Sequence, residues 1–351
     1  MFQTIYIVLI FSTILFLYLH IYFHLKTSND LEVYEIERPS KDKLEEIGDL
    51  RQPVVFQYHC PSALTRQSLS VAYGGFDIHL RNIATPTKDT DPLYLPLVLS
   101  TAFKALDADS ESKFLIENNA DFLVETALYK RLAANDAFLR PSMVSTCMYD
   151  YQTASANTKT PFRYDVNYRN YFYVSEGQIT VKLAPPKSTR YLAEIKDYEN
   201  QEFRSPVNPW QVQPHYSSEF NKVKCMDILV KQGYIVYIPA YWWYSIDFGA
   251  RVTSMCVFKY RTYMNDLAVL PQTCMGILQR QNIKHKRAAI YKTPPTDSAL
   301  EQPTLDLELD LDQPTLLPTT VDSVLLPDIK QPLPSELQEP LELEIAANTA
   351  I

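Results

Sequence analysis

The feature that most constrains this chain is an apolar segment near its N-terminus, residues 5–25, which reads IYIVLIFSTILFLYLHIYFHL. It contains no Lys, Arg, Asp or Glu, and such side chains are costly inside a bilayer. As a helix, its 21 residues would extend about 31 Å, close to the ~30 Å hydrocarbon core of a membrane. We therefore predict that residues 1–26 form a single-pass transmembrane anchor in contact with the lipid bilayer.

A cleavable signal peptide is the alternative interpretation of this segment. It would need a basic N-terminal region, a shorter apolar run and a small-residue cleavage site. The first four residues, MFQT, contain no basic side chain, and no Ala-x-Ala-like site follows, so a retained anchor is favoured. Basic residues just after the segment favour a body on the cytosolic side, because cytoplasmic flanks are rich in Lys and Arg. These residues are Lys26, Arg38, Lys41 and Lys43.

Charge is distributed unevenly along the chain. The formal net charge of −8 argues against non-specific nucleic-acid binding, so we expect no nucleic-acid partner. Residues 301–351 contain 11 acidic residues and one Lys, a net of −10, which leaves about +2 for the rest. Residues 293–351 contain nine prolines and no glycine, a composition that predicts a disordered tail. Its TLDLELDLD run has strand periodicity and could recruit a protein partner.

Between the anchor and the tail, the pattern predicts three segments. Residues 27–51 are charged and predict a stalk with a short helix, and residues 264–292 form a basic extension. Residues 52–263 predict the folded domain. Its QPVVFQY run (52–58) is typical of a buried strand, residues 93–140 have mostly helical spacing, and the part from Thr160 is rich in short strands. This order indicates a mainly β sandwich or barrel with helical additions.

Five cysteines are spread along the chain without a CxxC spacing. Neither a zinc site nor a disulfide framework is indicated, and free thiols are the simplest interpretation.

Four stretches of the domain resemble, in their order, one known family. The resemblance is to the cupin-like JmjC family, the group that includes the asparaginyl hydroxylase of the hypoxia pathway. It extends over roughly residues 52–262 and is most specific in the Thr-Pro-x-x-Tyr-Asp and Ile-Pro-x-x-Trp-Trp segments. The stretches are TPFRYD (160–165), RNYFYVSEGQITVKLAPP (169–186), FRSPVNPW (203–210) and GYIVYIPAYWWYSI (233–246).

The resemblance implies a double-stranded β-helix, the cupin or jelly-roll core, with iron(II) and 2-oxoglutarate at its mouth. Such a centre uses two neutral imidazoles and one carboxylate on one face of the metal. In this chain Arg163 and Tyr244 stand at the two His positions, and only the carboxylate position, Asp165, is kept. A guanidinium has no lone pair to give a metal. The co-substrate lysine position is Ile179, with Lys182 as a substitute of the wrong strand parity.

These substitutions are mutually compatible, because a fixed cation can replace a metal beside a buried carboxylate. We expect Arg163 to pair with Asp165, and Tyr244 to donate a hydrogen bond into the same space. Of the two adjacent tryptophans, Trp242 and Trp243, we expect one to pack inward and the other to line a rim or a partner surface. Candidate pocket-lining residues are Thr160, Asn170, Tyr173 and Trp243.

The favoured function is therefore a membrane-anchored, catalytically inactive cupin-like domain that acts as a binding or structural module. This interpretation assigns no catalytic residue, no metal and no cofactor. The alternative is an Fe(II)/2-oxoglutarate-dependent protein hydroxylase in which Asp165 and unidentified groups bind the metal. A third hypothesis is a protein that binds a small acidic ligand through Arg163.

Overall fold

The computed structural model describes residues 2–83 and 94–281. The expected tail, residues 293–351, and the last part of the basic extension lie outside the described residues. The described helices are α1 (Phe2–Leu25), α2 (Lys41–Asp49), α3 (Arg66–Tyr73), α4 (Leu99–Ala108), α5 (Ala120–Glu125), α6 (Leu128–Ala134), α7 (Ser217–Phe220), α8 (Tyr263–Ala268) and α9 (Leu270–Gln281). Short 3₁₀ helices occur at Pro186–Tyr191 and Pro214–Tyr216.

The described strands form two sheets, and their bounds in chain order are β1 (Tyr34–Ile36), β2 (Val54–Gln57), β3 (Asp77–Asn82), β4 (Tyr94–Val98), β5 (Phe114–Ile116), β6 (Val144–Ala154), β7 (Arg163–Tyr164), β8 (Arg169–Glu176), β9 (Gln178–Ala184), β10 (Ile195–Asp197), β11 (Glu202–Arg204), β12 (Met226–Lys231), β13 (Tyr234–Tyr237), β14 (Trp243–Asp247) and β15 (Ser254–Thr262). The larger sheet has the order β1-β2-β13-β8-β15-β6-β5-β3-β4, and the smaller has β10-β11-β7-β14-β9-β12. All neighbours are antiparallel except β1 and β2, which are parallel. The predicted mainly β fold with helical additions is confirmed.

Two apolar cores use opposite faces of the larger sheet, because successive side chains of a strand alternate in direction. On β8, Phe172 and Val174 point between the two sheets and meet Val181 of the smaller sheet. The alternate residues, Tyr171 and Tyr173, belong to a second core on the outer face. Helices α2 to α6 cover that face and supply buried leucines and phenylalanines to it. The barrel mouth therefore lies between the sheets, and the helices lie outside it.

Two segments differ from the expectations. The LYLPLV run was expected to be helical, but Tyr94–Val98 forms strand β4. Pro96 is tolerated there because β4 is the edge of the sheet, where one side of the strand needs no ladder bond. Residues 27–51 contain the expected short helix, α2, whose Leu44 is buried. They also contain β1, which pairs with β2, so this segment is part of the fold and not a separate stalk.

One helix in the described part of the chain, Gln3–Leu25, is long and apolar enough to cross a membrane. It contains the predicted anchor segment and is a candidate membrane span, although a signal sequence would have the same length and composition. Its C-terminal end packs against α8 of the domain.

Gly48 of α2 provides a test of how closely this helix packs against Arg169. A Cβ on Gly48 would lie 2.6 Å from Cζ of Arg169, which is only 2% exposed. That guanidinium cannot move freely, because it donates to Asp49 (2.7 Å) and Tyr237 (3.0 Å). Gly48→Ala should therefore destabilise the domain by about 1–3 kcal/mol, although Ala normally favours a helix. Thermal unfolding in mild detergent measures this.

The matched control is Gly75→Ala, because a Cβ there meets no atom within 4 Å. We expect that variant to be neutral or slightly more stable. Equal unfolding temperatures for the two variants would contradict the packing described for Arg169.

Candidate functional site

The three positions that the resemblance assigns to metal ligands meet between two short strands of the smaller sheet. Arg163 on β7 is the direct antiparallel partner of Tyr244 on β14. Asp165 follows two positions after Arg163, so both side chains lie on the face that points between the sheets. Arg163 also lies with its Cζ 5.6 Å from the centroid of the Tyr244 ring. The structure thus brings together the three residues that the sequence analysis singled out.

Asp165 is held by two donors, one on each carboxylate oxygen. The Tyr244 hydroxyl donates to Oδ2 at 2.8 Å, as expected, and Lys259 Nζ donates to Oδ1 at 2.9 Å. Burial alone would raise the pKa of Asp165, but Lys259 and then Arg163 outweigh it, so the pKa is lowered. Burial, reinforced by the neighbouring Asp165, raises the pKa of Tyr244 well above its usual value. Asp165 is therefore an anion that a cation and a phenol already satisfy.

The expected pairing of Arg163 with Asp165 is corrected by the structure. Arg163 Nη1 donates instead to Oε2 of Glu117, at 2.8 Å. Glu117 follows β5 in the opposite sheet and is fully buried, and its other oxygen accepts from Arg81. Arg81 in turn donates to Glu202 at 3.1 Å. Sequence reasoning missed Glu117 because it ends the apolar run FLIE, and its partner lies 46 positions away.

This buried carboxylate gives the domain a specific pH dependence. Burial opposes ionisation of Glu117, but Arg163 and Arg81 outweigh it and lower its pKa to about 2 from a usual value of 4.5. A carboxylate whose pKa is lower in the folded protein stabilises the fold above its unfolded-state pKa. That contribution is lost as the pH falls through the folded-state value. The shift corresponds to about 3 kcal/mol.

We therefore expect the free energy of unfolding to fall between about pH 4.5 and pH 2, with Asp165 contributing in the same direction. Urea unfolding at a series of pH values measures the slope. Glu117→Gln should flatten it in this window, and an unchanged slope would contradict the assignment.

The position that the resemblance assigns to the co-substrate lysine belongs to the core. Ile179 on β9 is fully buried between the two sheets. Lys182 has the opposite parity, as the sequence predicts, and pairs with Asp227 at 2.8 Å on the outer side of the strand. The side chain inside is therefore the uncharged Ile179, and the charged Lys182 lies outside the barrel mouth.

The four candidate pocket residues take structural positions in this domain. Thr160 Oγ1 accepts from the Ile246 amide at 2.8 Å, and Asn170 Nδ2 donates to backbone carbonyls. Tyr173 belongs to the outer core. Trp243 is fully buried, and its Nε1 donates to Thr189 Oγ1 at 2.8 Å.

The two tryptophans correct a second expectation. Trp242 and Trp243 point to opposite sides, but both are fully buried, so neither lines a rim. Trp242 packs in the core between the sheets, and Trp243 packs against Phe162 and Leu192.

A cavity of about 270 Å³ opens beside Asp165. Lys259 and Arg261, two apart on β15, both point into it. The Arg261 guanidinium donates to the side-chain oxygens of Asn167 and Gln201, and burial lowers its pKa against the opposing effect of Asp266. Of the residues the structure describes, the wall consists of Asn118, Ala120, Met148, Tyr149, Asp150, Asp165, Val166, Asn167, Asn200, Gln201, Val257, Lys259 and Arg261.

The two cations of this cavity were missed, although β15 itself was expected. In RVTSMCVFKYRTY the alternation of Lys and Arg indicates one shared face, but not which face is inside.

The residues at the metal positions do not fit an iron centre. The first ligand position is a guanidinium that has no lone pair and is held by Glu117. The second is a phenol whose hydroxyl donates a hydrogen bond to Asp165, and Asp165 already has a partner on each oxygen. Within residues 2–83 and 94–281, no group of three or more His, Cys, Asp and Glu is arranged to hold a metal ion.

Comparison with known proteins gives one match. The family model described as the cupin-like domain matches residues 82–264, just over half of the chain. The matched region begins at the last residue of β3, contains strands β4 to β15, and ends at the second residue of α8. No curated protein matches the chain.

Proposed function

The chain belongs to the cupin-like domain family, and we propose that it is a membrane-anchored binding module without iron- and 2-oxoglutarate-dependent activity. One observation carries the proposal: Asp165 is held on one oxygen by Tyr244 and on the other by Lys259. The remaining ligand position is a cation, Arg163, that a buried carboxylate fixes in place.

Binding of a divalent cation would have to reverse these interactions. The ion would need to displace Lys259 from Asp165, which is mostly buried, with a side chain 15% exposed. It would also lie beside the positive charge of Arg163, and repulsion between like charges is strong where water is scarce. Releasing Arg163 would leave Glu117 with a single cationic partner. Each step costs free energy that an intact His-x-Asp site does not pay.

The anchor and the tail complete the proposal. We infer that α1 is retained in one membrane and that the body lies on its cytosolic side, on the basis of the basic residues that follow the helix. The acidic, proline-rich tail after residue 293 would recruit a protein partner. The tail lies outside the described residues, so this part rests on composition alone.

A second candidate function follows from the cavity beside Asp165. Arg261 donates only to amide oxygens there, and no carboxylate is within ion-pair distance of it among the described residues. A half-buried guanidinium whose hydrogen-bond partners are neutral suits a small anionic ligand, for which a planar carboxylate is the natural match. Arg261 thereby takes the role that the sequence analysis gave to Arg163. Binding of small carboxylates to wild type and Arg261→Gln, measured by calorimetry, tests it.

The proposal is tested by turnover of 2-oxoglutarate. The full chain in detergent, supplied with Fe(II), ascorbate and oxygen, should produce no more succinate than the Asp165→Ala variant. Asp165→Ala is the matched control because it removes the only family ligand that the chain keeps. Succinate formation that wild type shows and this variant lacks would overturn the proposal in favour of the hydroxylase.

A further inference from the structure

The C-terminal end of α1 is docked on the domain. Residues 3–16 of the helix are all exposed, whereas the side chains facing the domain from there on recur at spacings of three and four. These less exposed residues are Leu17, His20, Ile21, Phe23 and His24. His24 is 8% exposed, and its ring lies 5.1 Å from that of Tyr168, with Nε2 3.3 Å from Thr262 Oγ1.

This docking shortens the part of the helix that is free to cross a bilayer. The exposed stretch, residues 3–16, extends about 20 Å at ~1.5 Å per residue. The hydrocarbon core is ~30 Å thick, and tilting the helix only shortens its projection. A span would therefore have to include about 10 Å of the docked part. Whatever part of the domain lies beside that length of α1 must then enter the membrane too.

The surface beside the docked helix is apolar at its edge. Met143, in the loop before β6, is 70% exposed, and Tyr263, the first residue of α8, is 60% exposed. Together with Pro141, Ser142 and Met264 they form what we call the rim, residues 141–143 and 263–264. Large exposed apolar side chains are poorly placed in water but well placed in lipid, and Tyr is common at membrane interfaces.

A cavity of about 550 Å³ separates α1 from the rim. Phe16, Leu19 and Phe23 of the helix line one wall, and Met143 and Met264 line the other. The cavity also has a polar part, where Arg169 pairs with Asp49 at 2.7 Å. A space with apolar walls and a polar part suits an amphiphile, and its volume is that of a typical ligand site.

We propose that the rim is inserted into the same bilayer as α1, with lipid acyl chains occupying the cavity between them. This inference rests on the proposed membrane anchoring. The domain would then be held rigidly at the membrane, with about 10 Å of the docked part of α1 and the rim beside it inside the hydrocarbon core.

Site-specific fluorescence in lipid vesicles tests the inference on the full chain. Three single-cysteine variants are labelled with an environment-sensitive probe: Leu9→Cys in the free part of α1, Tyr263→Cys in the rim, and Val252→Cys as the control. Val252 is 43% exposed and precedes β15, whereas Tyr263 follows it. The two positions therefore lie at opposite ends of a strand that extends about 26 Å.

The native cysteines do not obstruct this design. The exposed Cys274 and the partly exposed Cys147 and Cys225 are replaced with Ser. Cys60 and Cys256 stay, because both are buried and burial raises the pKa of their thiols, that of Cys256 to about 12. Vesicles of phosphatidylcholine and phosphatidylserine carry nitroxide-labelled acyl chains that quench a probe only at close range.

We expect strong quenching at positions 9 and 263 and little at 252. Quenching at 9 alone would overturn the insertion of the rim and leave the anchor standing. Absence of quenching at 9 would overturn the anchor and the inference together, and equal quenching at all three positions would also contradict it. Met143→Cys is a second rim position that should behave as Tyr263→Cys does, in case that variant fails to fold.

Discussion

Glu117→Gln is expected to lower the free energy of unfolding by about 3–5 kcal/mol, because it leaves the buried Arg163 without its carboxylate partner and Arg81 with Glu202 alone. Glu117 is fully buried, and its two oxygens are shared between Arg81 and Arg163. The amide keeps the shape of the side chain but offers one acceptor and no charge. Urea unfolding of the full chain in mild detergent at pH 7 measures the loss.

Glu111→Gln is the matched control for this prediction. Glu111 also forms an ion pair, with Lys113 at 2.9 Å, but its side chain is 71% exposed. Exposed pairs contribute about 0–1 kcal/mol, so the control should be nearly neutral. Similar losses in the two variants would show that the buried network does not hold the barrel mouth together.

Trp243→Ala is expected to cost about 3–5 kcal/mol, the usual range for removing a large buried aromatic side chain. Trp243 is fully buried between Phe162 (ring centroids 5.7 Å apart) and Tyr164 (4.9 Å). It begins β14 immediately before Tyr244, so its loss should also loosen the phenol that holds Asp165. The unfolding midpoint reports the first effect.

Trp243→Phe separates packing from hydrogen bonding at the same position. It keeps an aromatic ring but loses the bond from Nε1 to Thr189 Oγ1, which should cost about 0.5–1.5 kcal/mol for the bond itself. A loss in Trp243→Ala no larger than in Trp243→Phe would contradict the packing role assigned to this residue.

The sequence predicted the mainly β fold and the shared face of two of the candidate site residues. Arg163 and Asp165 are two apart on one segment, so their shared face follows from strand periodicity alone. The hydrogen bond from Tyr244 to Asp165 could be expected for a different reason. The order of the motifs placed Tyr244 at the second ligand position, beside Asp165.

The ion pairs of the site could not be predicted in the same way. Glu117 and Lys259 are separated from their partners by 46 and 94 positions, and only the strand order of the larger sheet brings them to the mouth. A single sequence contains no signal for such pairs. β4 was missed although Leu95 and Leu97 alternate as in a strand, because the segment was grouped with the helical run that follows it. Only its edge position makes a strand with Pro96 acceptable.

The central claim is that the Lys259 ammonium and the Tyr244 phenol, and not a metal, satisfy Asp165 at the barrel mouth. The most direct test is the iron content of the full chain, purified in mild detergent without oxygen, loaded with Fe(II) and desalted. The account predicts a content far below one ion per chain, equal in wild type and Asp165→Ala. About one iron per chain in wild type, lost in Asp165→Ala, would contradict it.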